Sequence, residues 1–213
     1  MPLQKFTVAE NAAINTVYQL LNNHFAGGVA NCPELHIALD SAGLEVIDVQ
    51  LHPPHGGPLS PKVAAVGISS GFRIIHNHPT GASLSNFDWG VLADYTKCEM
   101  TAVNKEGTTF RGKVIDAPRM KSFLLEYNNI TTDIETEKTK AIDLFASSGY
   151  ADLVEQLVEN TWYESVAIAQ YIHSKGIVEY ELNPAGKNSA FINSGYSNRI
   201  LNIVNNVCRK YNI

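Results

Sequence analysis

Basic charge is scarce in this 213-residue sequence: 16 Lys and Arg stand against 21 Asp and Glu, for a formal net charge of -5. The basic residues are scattered and form no stripe, so the electrostatic footprint of a nucleic-acid binder is missing. Cysteine is equally sparse. Cys32, Cys98 and Cys208 show no CxxC spacing, which argues against a thiolate zinc site or a disulfide framework and leaves free, buried thiols suited to a reducing compartment. No apolar run approaches the ~18 residues that a membrane-crossing helix needs, and the opening residues MPLQKFTVAENAAINTV hold no apolar leader segment. A cytoplasmic protein without a membrane partner is therefore expected. With 45% hydrophobic and 17% charged residues, the composition is neither fibrous nor disordered, and the length is enough to bury a sizeable core.

The hydrophobic pattern alternates between helical and strand periods along the first half of the chain. Val8, Ala12, Ile14, Val17, Leu20 and Leu21 recur at helical spacing from Thr7 to about Phe25, and Gly27-Gly28 ends the pattern. Leu35 to Leu39 and Leu44 to Leu51 read as a hairpin around Asp40-Ser41-Ala42-Gly43. A short helix fits between Pro58 and Gly71, followed by a strand from Phe72 to His76 and a helix from Ser85 to about Lys97. Glu99 to Val103 and Thr108 to Ile115 read as a second hairpin. Beyond Pro118 the texture becomes helical, at about 118 to 127, 133 to 147, 150 to 174 and 196 to 211, with one strand candidate at Ile177 to Leu182. The expected class is α/β, a mixed β-sheet flanked by helices over residues 1–117 and a mainly helical region over 118–213.

The chemistry concentrates in HNHPTGASLSNFD, residues 76–88. Residues two apart in a strand face the same way, so His76 and His78 present two imidazoles side by side. Pro79 and Gly81 turn the chain, and a helix starting near Ser85 puts Asp88 in its first turn, within reach of the strand end. Two nitrogens and one carboxylate oxygen leave a fourth tetrahedral position open, the arrangement of catalytic zinc. Each half of this pattern has a plainer reading. An isolated HxH is more often a hydrogen-bonded pair, and an isolated SxxD is more often a helix cap; their joint occurrence after a strand, inside thirteen residues, is what makes the signal specific.

This constellation resembles the JAMM/MPN+ (JAB) zinc metallopeptidase family, whose motif is a distant upstream Glu, then HxHP, a short spacer and SxxD. The HNHP form, with Asn77 between the histidines, is similar to bacterial RadC-like members. Glu34 follows Pro33 and precedes an apolar strand, 76 − 34 = 42 residues before His76, and matches the upstream Glu. The resemblance covers about residues 30 to 115, and five residues separate Pro79 from Ser85, a compact spacer. It implies a cytidine-deaminase-like JAB sheet, with Zn2+ on His76, His78 and Asp88. Glu34 would be the general base and Ser85 would steady the oxyanion during hydrolysis of a peptide or isopeptide bond. The implied substrate is a protein or peptide, with ubiquitin-like proteins in the class, and a homo-oligomer is left open. The competing expectation is a RadC-like module that acts by interaction, in association with DNA, without peptidase activity.

Other candidates carry less. Glu45 competes with Glu34 as base but lies beyond the turn. His52 and His55, in LHPPHGG, read as part of a rigid exposed loop ahead of a second metal pair or a substrate contact. His24 and His36 read as ordinary helix and strand residues, His173 as a helix C-terminal dipole contact, and Trp162, Tyr163 and Tyr171 as core.

Overall fold

The computed structural model describes residues 3–25, 32–54, 56–79 and 81–211. Among these, six strands and eight helices follow in the order α1 (Val8–Phe25), β1 (Glu34–Asp40), β2 (Val46–His52), α2 (Pro61–Ser69), β3 (Phe72–Asn77), α3 (Asn86–Asp94), β4 (Glu99–Val103), β5 (Thr109–Val114), α4 (Ala117–Ser147), α5 (Ala151–Glu159), α6 (Trp162–Ser174), β6 (Val178–Asn183), α7 (Gly186–Asn193) and α8 (Ser197–Lys210). The sheet runs β2-β1-β3-β4-β5-β6. Only β3 and β4 are parallel, joined across α3, and every other neighbouring pair is antiparallel. The protein is α/β, a mixed sheet between helices.

Strand alternation gives the sheet two different faces. Ile37 and Leu39 of β1, Ile75 of β3 and Val103 of β4 meet Ala13 and Val17 of α1. The intervening residues Ala38, Ile74, Met100 and Ala102 join the larger core beneath the other helices. On the α1 face, Glu10 accepts two bonds from Arg73 Nη1, both at 3.1 Å; Arg111 pairs with Glu99 and lies over the Phe6 ring. Glu10, Arg73 and Arg111 are buried, so each charge has a partner where water is absent, as burial demands.

The expected boundary near 117 falls where α4 begins, capped by Asp116, whose Oδ1 accepts from the Arg119 N–H at 3.1 Å. Sheet and core nevertheless continue across it. β6 pairs with β5 from Thr109↔Asn183 to Val114↔Val178, and Ala38 and Phe72 share a core cluster with Ile130, Val166 and Val204. The C-terminal region thus supplies the sixth strand as well as helices.

Three elements differ from the sequence reading. The helices expected at 118 to 127 and 133 to 147 are the single helix α4, because the Thr-rich middle does not break it. At the junction, Thr131 and Thr132 each donate a hydroxyl to the carbonyl four residues earlier, so their polar ends are satisfied inside the helix. The helix expected over 150 to 174 divides into α5 and α6 around Asn160, whose side chain donates back to Gln156 O at 3.0 Å. Helix α7 was not foreseen. Tyr163 and Tyr171 are buried and Trp162 packs on the core, as expected.

Helix α3 lies close against β5 at Gly112, where an added Cβ would run into Trp89 and Leu84. Gly112→Ala should therefore lift α3 from the sheet and cost about 1–3 kcal/mol of stability, the scale of overpacking a filled core. Chemical denaturation of wild type and variant checks this.

Candidate metal centre

β1 and β3 pair antiparallel with His36 opposite His76. Glu34 and His36 of β1 therefore share a sheet face with His76 and, just past the strand, His78. The regular pairing ends at this point, one step short of Leu35 and Asn77. Asn77 bridges the gap with its side chain: its Nδ2 donates to Pro33 O at 2.9 Å, and its Oδ1 accepts from the Leu35 N–H at 2.7 Å. Fully buried, the amide thus grips the backbone on both sides of Glu34. Meanwhile β3 stays with its parallel neighbour, the His78 N–H donating to Val103 O at 2.8 Å.

Asp88 arrives from the opposite direction, at the start of α3. Ser85 is the N-cap in a capping box. Asp88 Oδ2 accepts from Ser85 N–H at 2.7 Å and from the Ser85 hydroxyl at 2.8 Å, and Ser85 Oγ accepts from the Asp88 N–H at 3.2 Å. Capping the helix and facing the histidines are not alternatives here. While Oδ2 is tied to Ser85, Oδ1 stands 3.5 Å from His76 Nε2; Oδ2 itself is 3.4 Å from His78 Nε2.

His76, His78 and Asp88 offer ligand atoms that all lie within 4.8 Å of one another. Bonds of 2.0–2.1 Å to a tetrahedral zinc would separate ligand atoms by about 3.3 Å. Each nitrogen is near that distance from an Asp88 oxygen, His76 from Oδ1 and His78 from Oδ2, and the two Nε2 atoms, 2.9 Å apart, need open only slightly. The donor set also suits a cation on chemical grounds. His78 Nδ1 faces Ala82 O at 3.1 Å; with the hydrogen placed on Nδ1 to make that bond, the Nε2 lone pair points into the cluster. His76 Nδ1 is buried without a partner, so the facing Nε2 pair is bridged either by a proton on one nitrogen or by a metal ion. Burial pushes His76 down, with Asp88 offsetting part of that. For His78 burial acts the same way, but the Asp88 bond and charge prevail and raise it. Burial would raise Asp88, yet the two histidines hold it well below the usual carboxylate range.

Beside the cluster opens a cavity of about 680 Å³, whose walls include Glu34, His36, His78, Ser85 and Asp88. Burial alone would raise the Glu34 carboxyl; the hydrogen bond from His36 and the nearby charges of His76 and His78 outweigh it and leave it lowered. Its Oε2 is 3.4 Å from His36 Nε2. Gly56, at φ +78, brings backbone against the same carboxylate, and a Cβ there would stand 2.8 Å from Glu34 Oε2. Glu45 is exposed at the opposite end of β1, where its carbonyl accepts from the Asp40 N–H, away from this cavity.

His36 is more than the ordinary strand residue expected: its ring centroid lies 5.1 Å from that of His76 and 4.5 Å from that of His52. The period-2 rule that pairs His76 with His78 also pairs His36 with Glu34, so this signal was present. Neither the clamp by Asn77 nor the walls contributed by Tyr127 of α4 and Ser165 of α6 had a sequence signal, since both depend on contacts between distant segments. His52 is held near the site, packed on His36 and against Gly57, while His55 lies outside the described residues. His173 Nδ1 faces Val178 O at 3.0 Å.

Comparison with protein-family models, with curated proteins and with solved structures found no match to this chain. The geometry of the site therefore stands on its own. Asn77→Ala should free the Leu35 amide, raising its hydrogen-exchange rate about tenfold or more, the equivalent of losing one buried hydrogen bond. Site-resolved exchange by NMR reads this without any assay of activity.

Proposed function

We propose that this protein is a zinc-dependent hydrolase with JAB-type architecture that cleaves a peptide or isopeptide amide bond in a protein or peptide substrate, the ubiquitin-like proteins belonging to that class. The observation that carries the reading is the convergence of His76, His78 and Asp88 within 4.8 Å of one another, with His78 and Asp88 lining a cavity that Glu34 also lines. Three protein ligands and an accessible side are what a catalytic zinc requires, whereas a structural site closes the fourth position with protein.

When bound, zinc supplies Lewis-acid polarisation of a carbonyl and lowers the pKa of a water to ~7. Glu34 is the proton acceptor. With Oε2 turned to His36, Oε1 is left to take a proton from the attacking water and later to return it to the leaving nitrogen. Asn77 keeps the Glu34 backbone in register with the histidine strand, and Gly56, having no Cβ, leaves the space that the carboxylate occupies. Ser85 holds Asp88 through its single hydroxyl hydrogen. It can donate to an oxyanion only by giving up that bond, and the Ser85 N–H would then still hold Oδ2. Burial pushes the Cys98 thiol up to about 11 and that of Cys208 up to about 12, keeping both protonated and unreactive, in keeping with the cytoplasmic setting we assign.

Glu34→Gln should keep zinc while hydrolysis of a peptide or isopeptide substrate falls by a factor on the order of 10² or more. His76→Ala and Asp88→Ala should lose metal and activity together. Zinc content and cleavage rate measured on all three variants test this; full activity of the zinc-loaded Glu34→Gln protein would remove Glu34 from the role of base.

A further inference from the structure

The lining of the cavity beside the candidate ligands is of two kinds. It carries Glu34, His78 and Asp88, and it carries an apolar set, Leu59, Phe87 and Val91 with Met100 of β4 and Tyr127 of α4. Phe87 leaves 79% of its surface exposed, an aromatic ring held in water at the mouth of a pocket. Large apolar groups in that position commonly mark a surface that a ligand covers. The charges on the walls are equally informative. Among the described lining residues there is no Lys or Arg, and Glu34 and Asp88 together balance the charge of one divalent ion. A terminal carboxylate or a phosphate entering the apolar side of this space would shed hydration without meeting a Lys or Arg. At about 680 Å³ the space accommodates an amide and one large side chain.

We infer that the α3–α4 wall is an apolar specificity subsite, so that the substrate presents a bulky, uncharged apolar side chain next to the amide being cleaved. This rests on the zinc-hydrolase reading. It narrows that reading to internal bonds beside aromatic or large aliphatic residues and away from removal of a residue bearing a free terminal carboxylate. Phe87 and Tyr127 flank the side chain, and Val91 sets the depth it can reach.

The test uses the full chain loaded with zinc and reads binding by calorimetry, independent of turnover. Three hydroxamates share the metal-chelating head: acetohydroxamate, 4-phenylbutanohydroxamate and the monohydroxamate of glutaric acid, whose arm ends in a carboxylate. Burying a phenyl arm should tighten binding about 30-fold or more over acetohydroxamate, and the carboxylate arm should add nothing. Val91→Phe fills the subsite and should remove most of the phenyl advantage, whereas Leu125→Ala, on α4 but 83% exposed and outside the cavity lining, should preserve it. Phe87→Lys changes an exposed position and so keeps the fold. It should lower the phenyl advantage and improve the carboxylate arm about threefold. Equal affinity for all three compounds on zinc-loaded protein, or a phenyl advantage untouched by Val91→Phe and Phe87→Lys, overturns the subsite and leaves the metal centre standing. A chain that takes up no zinc overturns both.

Discussion

One carboxylate connects the two halves of the centre. Asp88 closes the first turn of α3 through its bonds with Ser85 and, from the same position, faces the imidazoles at the end of β3. Its location depends on how α3 sits on the sheet, and that depends on Trp89 lying flush against the bare backbone of Gly112. The packing of a buried indole is thereby converted into the separation of a carboxylate from two nitrogens. A few tenths of an ångström matter at such distances, and interiors packed at crystalline density supply that tolerance where loops do not.

The proposed base is held by separate means. Glu34 has no bond to any of the three candidate ligands and reaches the cavity only because β1 and β3 are in register at His36 and His76. A slip of one residue would send Glu34 to the α1 face. The Asn77 amide resists that slip where the ladder has already ended, replacing the missing strand pair with side-chain bonds. On the other face, the buried ion pairs among Glu10, Arg73, Glu99 and Arg111 add directional constraints between α1, β3, β4 and β5. Buried ion pairs contribute little net stability but penalise misalignment heavily, which suits a sheet whose register fixes a site.

What could be read from the sequence follows how local each feature is. His76, His78 and Asp88 sit within thirteen residues, and their meeting needs only a strand period, a turn and a helix cap. Glu34 is brought to them by long-range strand pairing, and its assignment came from resemblance; no local pattern distinguishes it from other acidic residues. The strand character of 177 to 182 was legible, but its partner was not, because the choice of β5 depends on edge availability and the shared core. The continuity of α4 through 128 to 132 was not legible, because Asn and Thr side chains compete with the backbone in an isolated segment, whereas here the Thr131 and Thr132 hydroxyls bond inside the helix.

Pairing β6 with β5 joins residues that are far apart in the chain, Thr109 to Asn183 at one end and Val114 to Val178 at the other. Such closures are slow to form, since the intervening segment must be ordered before the contact repays its entropy. Synthesis proceeds from the N-terminus, so a nascent chain has His76, His78 and Asp88 outside the ribosome well before β6 emerges. Tyr127 and Ser165 also follow the ligands, and the last edge of the sheet comes after both. The three candidate ligand residues are thus synthesised early, whereas the enclosed space beside them exists only in the finished molecule. A chain interrupted before β6 would carry all three in its sequence but lack the core that α6 and α8 complete and with it the packing that brings them together.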